Sequence, residues 1–196
     1  TRHCCGELDV LQAKFAVPKR SMNERGNGNG IKERFGKGGF MMNILIIFDS
    51  LYGHTEKIAH AMQEELSKDH EARMEHVLNI GLGDLAHVDL VVIGSPTHGG
   101  YETEDIKVFL DGISDNALRG KRTAAFDTSI VKEKQNPILG KIIDWFGHAV
   151  NRVEGEMIEK GATDVQKESF LVDGTTEMLK EGELERAKAW ARELVG

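Results

Sequence analysis

Apolar residues along this chain alternate between short continuous runs and helix-like stripes. The runs "NILIIF" from residue 43 and "VDLVVIG" from residue 88 are typical of strands that are covered on both faces of a sheet. Between them Ile58, Met62 and Leu66 recur every four residues, which is the spacing of one face of an amphipathic helix. Further strands are predicted at "ARMEHVLNI", "KRTAAF" and "ESFLV".

Three more helical stripes separate or follow these strands. The predicted stripes are Ile106, Phe109, Leu110 and Ile113; Ile138, Ile142, Trp145, Phe146 and Val150; and Leu184, Ala187, Trp190, Ala191 and Leu194. Five strands alternating with helices predict a doubly wound, five-stranded parallel sheet in a three-layer α/β/α fold. Ligands are then expected beyond the carboxyl ends of the strands.

Residues 1–40 differ from the remainder, residues 41–196, which we predict to form one domain. The first segment contains "NERGNGNG" and lacks periodicity, so we predict a disordered basic leader. The codons of Lys37 to Gly39 can contain a purine-rich ribosome-binding sequence shortly before Met41 and Met42. One hypothesis is therefore a miscalled start, and the alternative is a genuine flexible leader. The intact mass of the native protein distinguishes them.

Charge and cysteine content narrow the function classes. Residues 1–40 hold eight Lys/Arg against four Asp/Glu, whereas residues 41–196 hold 17 against 28. An acidic body disfavours nucleic acid and favours basic protein partners. Cys4 and Cys5 both precede the body, which excludes a disulfide, a thiolate nucleophile or a cysteine metal site within it. With no apolar stretch of about 18 residues, we expect a soluble cytoplasmic protein without a membrane span.

The segment "SLYGHT", Ser50 to Thr55, lies between the first predicted strand and helix. A tight loop that leads into a helix exposes several amides in one direction, and the helix dipole adds positive potential, so a phosphate suits this position. Ser50 and Thr55 offer hydroxyl donors, and Gly53 permits the turn. The alternative is plain capping by Ser and Thr. The segment has no lysine, so it is not the lysine-containing loop that binds nucleotide triphosphates. It also does not match the G-x-G-x-x-G dinucleotide fingerprint.

Two further polar segments follow strands at the same predicted sheet edge. "PTHGGY", residues 96–101, combines glycines with the flat rings of His98 and Tyr101. Asp127, Thr128 and Ser129 follow "KRTAAF". A planar phosphorylated ligand fits such a cleft. The alternative is that His98 is an ordinary exposed loop histidine and that Tyr101 covers the following helix. For the segment from Asp127 the alternative is a solvated connection.

Four stretches of the chain resemble the flavodoxin family: "SLYGHTEKIA", "DLVVIGSPTHGGYETEDIKVFLDGI", "RGKRTAAFDTS" and "EGELERAKAWARELV". The resemblance covers about residues 42 to 196 and implies non-covalent binding of flavin mononucleotide (FMN) and electron transfer. The family's phosphate loop usually reads T/S-x-T-G-x-T, which Ser50, Gly53 and Thr55 match. Tyr52 replaces a threonine, and S-x-Y-G-H is more similar to flavodoxin-fold quinone reductases.

The resemblance also implies an FMN site, residue by residue. His98 falls where flavodoxins often stack a tryptophan on the ring, and Gly99 falls where a peptide flips toward flavin N5. No aromatic residue occurs between Asp127 and Leu139, so the usual aromatic sandwich is incomplete unless Tyr101 supplies its second face. The implied contacts are Ser50, Leu51, Tyr52, Gly53, His54 and Thr55 for phosphate, Pro96, Thr97, His98, Gly99, Gly100 and Tyr101 for one ring loop, and Asp127, Thr128 and Ser129 for the other.

Three functions are consistent with these features. The first is an FMN-binding electron carrier between redox partner proteins, of the short-chain type because no extra strand is evident between Glu168 and the last helix. The second is a flavodoxin-fold NAD(P)H-dependent quinone or FMN reductase, favoured by Tyr52 and His54. A phosphoacceptor receiver domain is disfavoured, because Asp49 follows the first strand but no acidic residue ends the third. No metal site or catalytic side chain is predicted.

Overall fold

The structure is a computed structural model that describes residues 35–36, 39–131, 149–174, 176 and 178–196. Its central sheet has six strands in the order β2-β1-β3-β4-β5-β6. The strands are β1 (Asn43–Phe48), β2 (Glu71–His76), β3 (Leu90–Pro96), β4 (Arg122–Val131), β5 (Val165–Asp173) and β6 (Met178–Leu179).

The first five strands are parallel, and their order 2-1-3-4-5 is that of the flavodoxin-like doubly wound sheet. The predicted fold is therefore confirmed. The structure adds β6, which pairs antiparallel with the end of β5 in an interval where no extra strand was predicted. Two residues are too few to produce an apolar period, so the sequence pattern did not indicate this strand.

Helices cover both faces of the sheet, which gives the predicted three layers. Helices α1 and α4 pack on one face, and α2 and α3 pack on the other together with two 3₁₀ turns. The helices are α1 (His54–Leu66), α2 (Glu104–Gly112), α3 (Ala149–Glu159) and α4 (Glu183–Val195), and the turns are Val77–Asn79 and Leu82–Leu85.

Strand β1 shows why the apolar runs are continuous. Ile44, Ile46 and Phe48 belong to the core beneath α1 and α4, whereas Leu45 and Ile47 belong to the core beneath α2 and α3. Successive side chains of a strand point to opposite faces, so a strand with helices on both sides needs apolar residues at every position.

Aromatic rings fill the core beneath α4. The rings of Phe126, Phe170 and Trp190 meet edge to face, with centroids 5.9 to 6.4 Å apart. The Phe126 ring lies over Gly94, its neighbour in the β3–β4 register, and a methyl group added at Gly94 would overlap with that ring. Glycine at this strand position therefore makes room for the aromatic cluster.

One predicted helix is only partly described. Of its stripe from Ile138 to Val150, the residues up to Phe146 lie outside the described residues, and Val150 is buried on α3. Helix α3 then continues to Glu159, past the predicted stripe, and buries Val153 and Met157.

The end of the predicted leader is partly described. Phe35–Gly36 pairs antiparallel with Gly39–Phe40. Residues 1–34, 37 and 38 lie outside the described residues, so the disordered leader and the miscalled start stay predictions.

We expect Gly94→Ala to lower the free energy of unfolding by about 1–3 kcal/mol, because the methyl group must displace the Phe126 ring from a packed core. Urea denaturation measures this change. Gly155→Ala is the matched control, since a methyl group on this exposed position of α3 meets open space and alanine favours a helix by roughly 0.5–1 kcal/mol. Equal stability of the Gly94 variant and the parent protein would contradict the role given to Gly94.

Candidate functional site

The carboxyl ends of β1, β3 and β4 meet at one edge of the sheet. The amide of Asp49 donates to the carbonyl of Gly94 at 3.1 Å, and the amide of Thr97 donates to the carbonyl of Thr128 at 2.8 Å. The hydroxyls of Thr55 and Thr128 lie 2.9 Å apart in a hydrogen bond. The structure thus brings the three predicted segments together.

The segment from Ser50 to Thr55 forms the entrance to α1. Gly53 is the N-cap residue with φ of 79°, in the left-handed region that favours glycine. Neither the Ser50 hydroxyl nor the Thr55 hydroxyl bonds a first-turn amide among the described residues. Side-chain capping, the alternative function of this loop, is therefore not what these hydroxyls do, and the first turn keeps its amides for another acceptor.

Two buried polar atoms of this loop suit a ligand. Ser50 Oγ and His54 Nδ1 are both buried, and neither finds a hydrogen-bond partner within the described part of the chain. An unsatisfied buried polar atom costs roughly 1–3 kcal/mol, so such atoms are rare unless something else pairs with them. Leu51 and Tyr52, in contrast, are 52% and 76% exposed and form the rim of the loop.

The second segment is a preformed turn. His98 and Tyr101 exchange backbone hydrogen bonds of 3.0 and 3.1 Å around Gly99 and Gly100. Their φ angles of 62° and 88° are those of a type I′ turn, which needs positive φ at both central positions. The need for positive φ at both positions therefore explains why two consecutive glycines occur in this turn.

A buried serine closes the base of that segment. The Ser95 hydroxyl is inaccessible to solvent, accepts from the amide of Thr103 at 3.0 Å and donates to the carbonyl of Pro96 at 3.1 Å. It joins the end of β3 to the residue that precedes α2. The loop between them is consequently held at both ends.

Tyr101 has a partner that sequence reasoning missed. Its ring is 53% exposed, and the guanidinium carbon of Arg152, on α3, lies 3.9 Å from the ring centroid. This is a cation–π contact. No sequence signal links residues that are this far apart, so only the fold could reveal a positive charge beside the predicted ring loop.

The third segment differs from its prediction as a loop. Asp127, Thr128 and Ser129 are buried residues of β4, which continues to Val131. Strand β3 pairs with β4 as far as Thr128, and β5 pairs with it as far as Val131. Because Asp and Ser have a low strand propensity, the sequence pattern did not indicate that the strand continues past Phe126. The residues that follow Val131 lie outside the described part, and contact of the three side chains with a cofactor stays a prediction.

Asp127 joins the start of α3 to the sheet edge. Its Oδ2 accepts from the Thr97 hydroxyl at 2.6 Å and from the Val150 amide at 3.4 Å, while Thr97 Oγ1 accepts from the Ala149 amide at 3.1 Å. The carboxylate thus supports the ring-loop segment from beneath. An anion near a helix N-terminus is also favoured by the helix dipole.

Asp49 and His76 lie directly behind the first loop. Asp49 is buried, and its Oδ1 accepts from the Ser50 amide at 2.7 Å and lies 3.1 Å from His76 Nε2. His76 ends β2, and its Nδ1 accepts from the Leu78 amide at 3.3 Å. The sequence offered Asp49 only as a strand-end carboxylate and gave no signal for His76.

A half-buried carboxyl lies one turn beyond Arg152 on α3. Burial, followed by the nearby carboxylates of Glu102 and Asp111, raises the pKa of Glu156 to about 7, and Lys107 partly opposes this increase. Glu102 follows Tyr101 directly, so this acidic group borders the second segment.

Comparisons with known proteins identify the family. The family model described as Flavodoxin matches residues 46–190. The chain belongs to the flavodoxin family, which confirms the resemblance found in the sequence. Members of this family bind a flavin and act in electron transfer or as oxidoreductases.

Individual relatives are distant. A protein of Azorhizobium caulinodans named NAD(P)H dehydrogenase (quinone) is 26% identical over an alignment of 114 residues, and the match covers 45% of this chain and 57% of that protein. The match thus spans a little over half the length of this curated relative. A flavodoxin structure from the domain Archaea aligns with a TM-score of 0.60 at 19% identity, over 79% of this chain and 96% of the other.

A second solved structure gives the same result. Oxidised Flavodoxin 2 from Bacillus cereus aligns with a TM-score of 0.58 at 24% identity, over 78% of this chain and 97% of the other. Likeness at these identities establishes the fold. No helix in the described ranges is long and apolar enough to cross a membrane, and no three His, Cys, Asp or Glu residues there are grouped to hold a metal ion.

We expect Glu156→Gln to change the pH dependence of stability. The unfolded carboxyl titrates near 4.5 and the folded one near 7, so the folded protein binds more protons between these values and loses stability as pH rises through them. The glutamine variant lacks this loss. Its melting temperature relative to the parent protein should therefore increase from pH 4 to pH 8.

Thermal unfolding followed by circular dichroism across that range measures the effect. Glu193→Gln, a change of the same charge at an exposed position of α4, is the control and should leave the pH profile unaltered. Parallel profiles for the Glu156 variant and the parent protein would contradict the raised pKa.

Proposed function

We propose that this protein is an FMN-binding electron carrier that shuttles electrons between redox partner proteins. The observation that carries the proposal is the pair of buried, unsatisfied atoms Ser50 Oγ and His54 Nδ1 at the N-terminus of α1. They lie at the carboxyl edge of β1 next to β3, the switch point where flavodoxin-like sheets bind FMN.

The loop from Ser50 to Thr55 would hold the phosphate. A helix N-terminus offers amides and a positive dipole end to an anion, and Ser50 Oγ can donate one further hydrogen bond. Gly53 is the residue that permits the left-handed turn into α1. The loop contains no lysine or arginine, so amides and hydroxyls rather than a formal charge would bind the phosphate.

The turn from Pro96 to Tyr101 would border the isoalloxazine ring. It is already shaped by its two glycines and by Ser95, so little ordering is needed when a ligand binds. Asp127, Thr128 and Ser129 would form the floor of the site. The flavin supplies the redox chemistry when bound, and the chain supplies binding, orientation and electrostatics.

Charge and exposure support protein partners. Leu51, Tyr52 and Tyr101 are exposed around the site, and the domain around them is acidic. An apolar rim within an acidic surface suits basic redox proteins. Absence of cysteine from residues 41–196 supports a cytoplasmic location.

A reductase is the second candidate, and a specific observation favours it. The curated relative is named NAD(P)H dehydrogenase (quinone). This chain also carries the S-x-Y-G-H pattern that resembles flavodoxin-fold quinone reductases, with Tyr52 exposed at the rim of the loop. Rapid oxidation of NADH or NADPH by the FMN-loaded protein, with a quinone as acceptor, would favour the enzyme. Slow oxidation together with rapid exchange of electrons with a redox protein would favour the carrier.

We expect the purified protein to bind FMN with flavin absorbance bands and Ser50→Ala to weaken this binding by about tenfold or more, because a hydrogen bond to a charged group contributes roughly 1.5–3 kcal/mol. Fluorescence titration measures the dissociation constant. Riboflavin, which lacks the phosphate, should bind the parent protein and the variant equally.

Ser67→Ala is the control for that experiment, since Ser67 follows the opposite end of α1 and is exposed. It should leave FMN binding unchanged. A parent protein that takes up no FMN defeats the proposed function. During stepwise reduction, a transient long-wavelength absorbance band favours one-electron transfer by a carrier, and its absence favours the two-electron enzyme.

We further expect Arg152→Gln to make the lower reduction potential of the bound flavin more negative, by on the order of tens of millivolts. The positive charge that stacks on Tyr101 favours added negative charge nearby, so its removal disfavours full reduction. With the incomplete aromatic cover, this charge also predicts a less negative potential than in a flavodoxin with two stacked aromatic rings.

A spectroelectrochemical titration measures the potential. Arg73→Gln is the matched control, because it removes the same charge from β2, which lies at the edge of the sheet. Equal shifts in both variants, or none in the Arg152 variant, would contradict a local effect of Arg152.

A further inference from the structure

We propose that His76 is a positioning residue for the phosphate loop and that it acts through Asp49. The contacts run from His76 Nε2 to Asp49 Oδ1 at 3.1 Å and from that same oxygen to the Ser50 amide at 2.7 Å. The inference rests on the proposed binding of FMN. It assigns a function to two residues outside the predicted site.

The geometry of the pair is fixed from several sides. The Leu78 amide donates to His76 Nδ1 at 3.3 Å, so Nδ1 is the acceptor nitrogen and Nε2 carries the proton that faces Asp49. The His76 ring also meets the edge of Phe48 with centroids 5.5 Å apart. The imidazole is therefore held in a single orientation at the end of β2.

Asp49 is fixed in the same way. Its amide donates to the carbonyl of Gly94, and its side chain is buried, with only 7% of the residue exposed. Asp49 Oδ1 accepts a hydrogen bond from the Ser50 amide and lies 3.1 Å from His76 Nε2. The carboxylate consequently determines where the loop begins, and His76 determines where that oxygen points.

Charge gives His76 a second effect. A carboxylate directly before an anion-binding loop repels a phosphate, and the loop itself contains no lysine or arginine to offset that repulsion. The 3.1 Å contact of His76 Nε2 with Asp49 Oδ1 offsets part of the negative charge on the oxygen that faces the loop. Without His76, the carboxylate would both lose its orientation and oppose the phosphate more strongly.

The binding of FMN and riboflavin by matched variants tests the proposal. His76→Phe keeps a ring against Phe48 but removes both nitrogens, and we expect the FMN dissociation constant to rise about tenfold while that of riboflavin stays the same. Asp49→Asn keeps an acceptor for the Ser50 amide and removes the charge, so FMN should bind as tightly as before or more tightly. In that background, adding His76→Phe should raise the FMN dissociation constant less than threefold.

His70→Phe is the control. His70 precedes β2 at its other end and its Nδ1 also accepts a backbone amide, that of Met42 at 3.4 Å, so the same kind of bond is lost away from the loop. The ratio of FMN to riboflavin affinity should not change. His76→Leu gives the same test if the phenylalanine variant does not fold.

The outcomes separate the two proposals. Unchanged FMN affinity in the His76 variants overturns this inference, and so does an equal loss for FMN and riboflavin, because that loss would reflect general loosening of the fold. A parent protein that binds neither flavin overturns the proposed function itself, and this inference with it. A selective loss of FMN that Asp49→Asn largely abolishes supports the positioning pair.

Discussion

Parallel pairing of β1, β3 and β4 is the constraint on which the site depends. Adjacent parallel strands end at the same edge, so residues that are far apart in the chain are placed within hydrogen-bond distance there. The amide of Thr97 donates a hydrogen bond to the carbonyl of Thr128, and the amide of Asp49 donates one to the carbonyl of Gly94. The hydrogen bonds between these strands fix the relative positions of the loops, and the apolar cores on both faces of the sheet keep the strands in register.

Buried polar groups then shape the loops before any ligand is involved. Ser95, Asp127 and Thr128 are almost inaccessible to solvent, and each bonds a partner on another segment of the chain. Such groups are costly to bury unless they are satisfied, so their network permits few alternative arrangements. Ser50 Oγ and His54 Nδ1, in contrast, are buried atoms of the first loop that have no hydrogen-bond partner in the described part of the chain.

The sequence predicted those helices and strands that are determined by a local pattern of apolar residues. Continuous apolar runs identified β1 and β3, because a strand that is covered on both sheet faces has apolar residues at every position. A four-residue spacing of apolar residues identified α1, because a helix that is buried on one side has apolar residues once per turn. Gly99 and Gly100 adopt positive φ angles, which glycine permits without steric cost. The strand conformation of Asp127, the strand β6 and the partners of Asp49 and Tyr101 depend on contacts between distant segments, which no local pattern records.

The two edges of the sheet differ in how they end. Strand β6 pairs with the last two residues of β5, whereas β2 has no strand on its outer side in the described structure and carries the charged residues Glu71, Arg73 and Glu75 at alternate positions. Alternating charges on an outer strand discourage another chain from adding its own strand there. The charged side chains thereby protect a sheet with an almost wholly apolar interior from pairing with other chains, and the proposed electron carrier would need this protection while it diffuses between its partners.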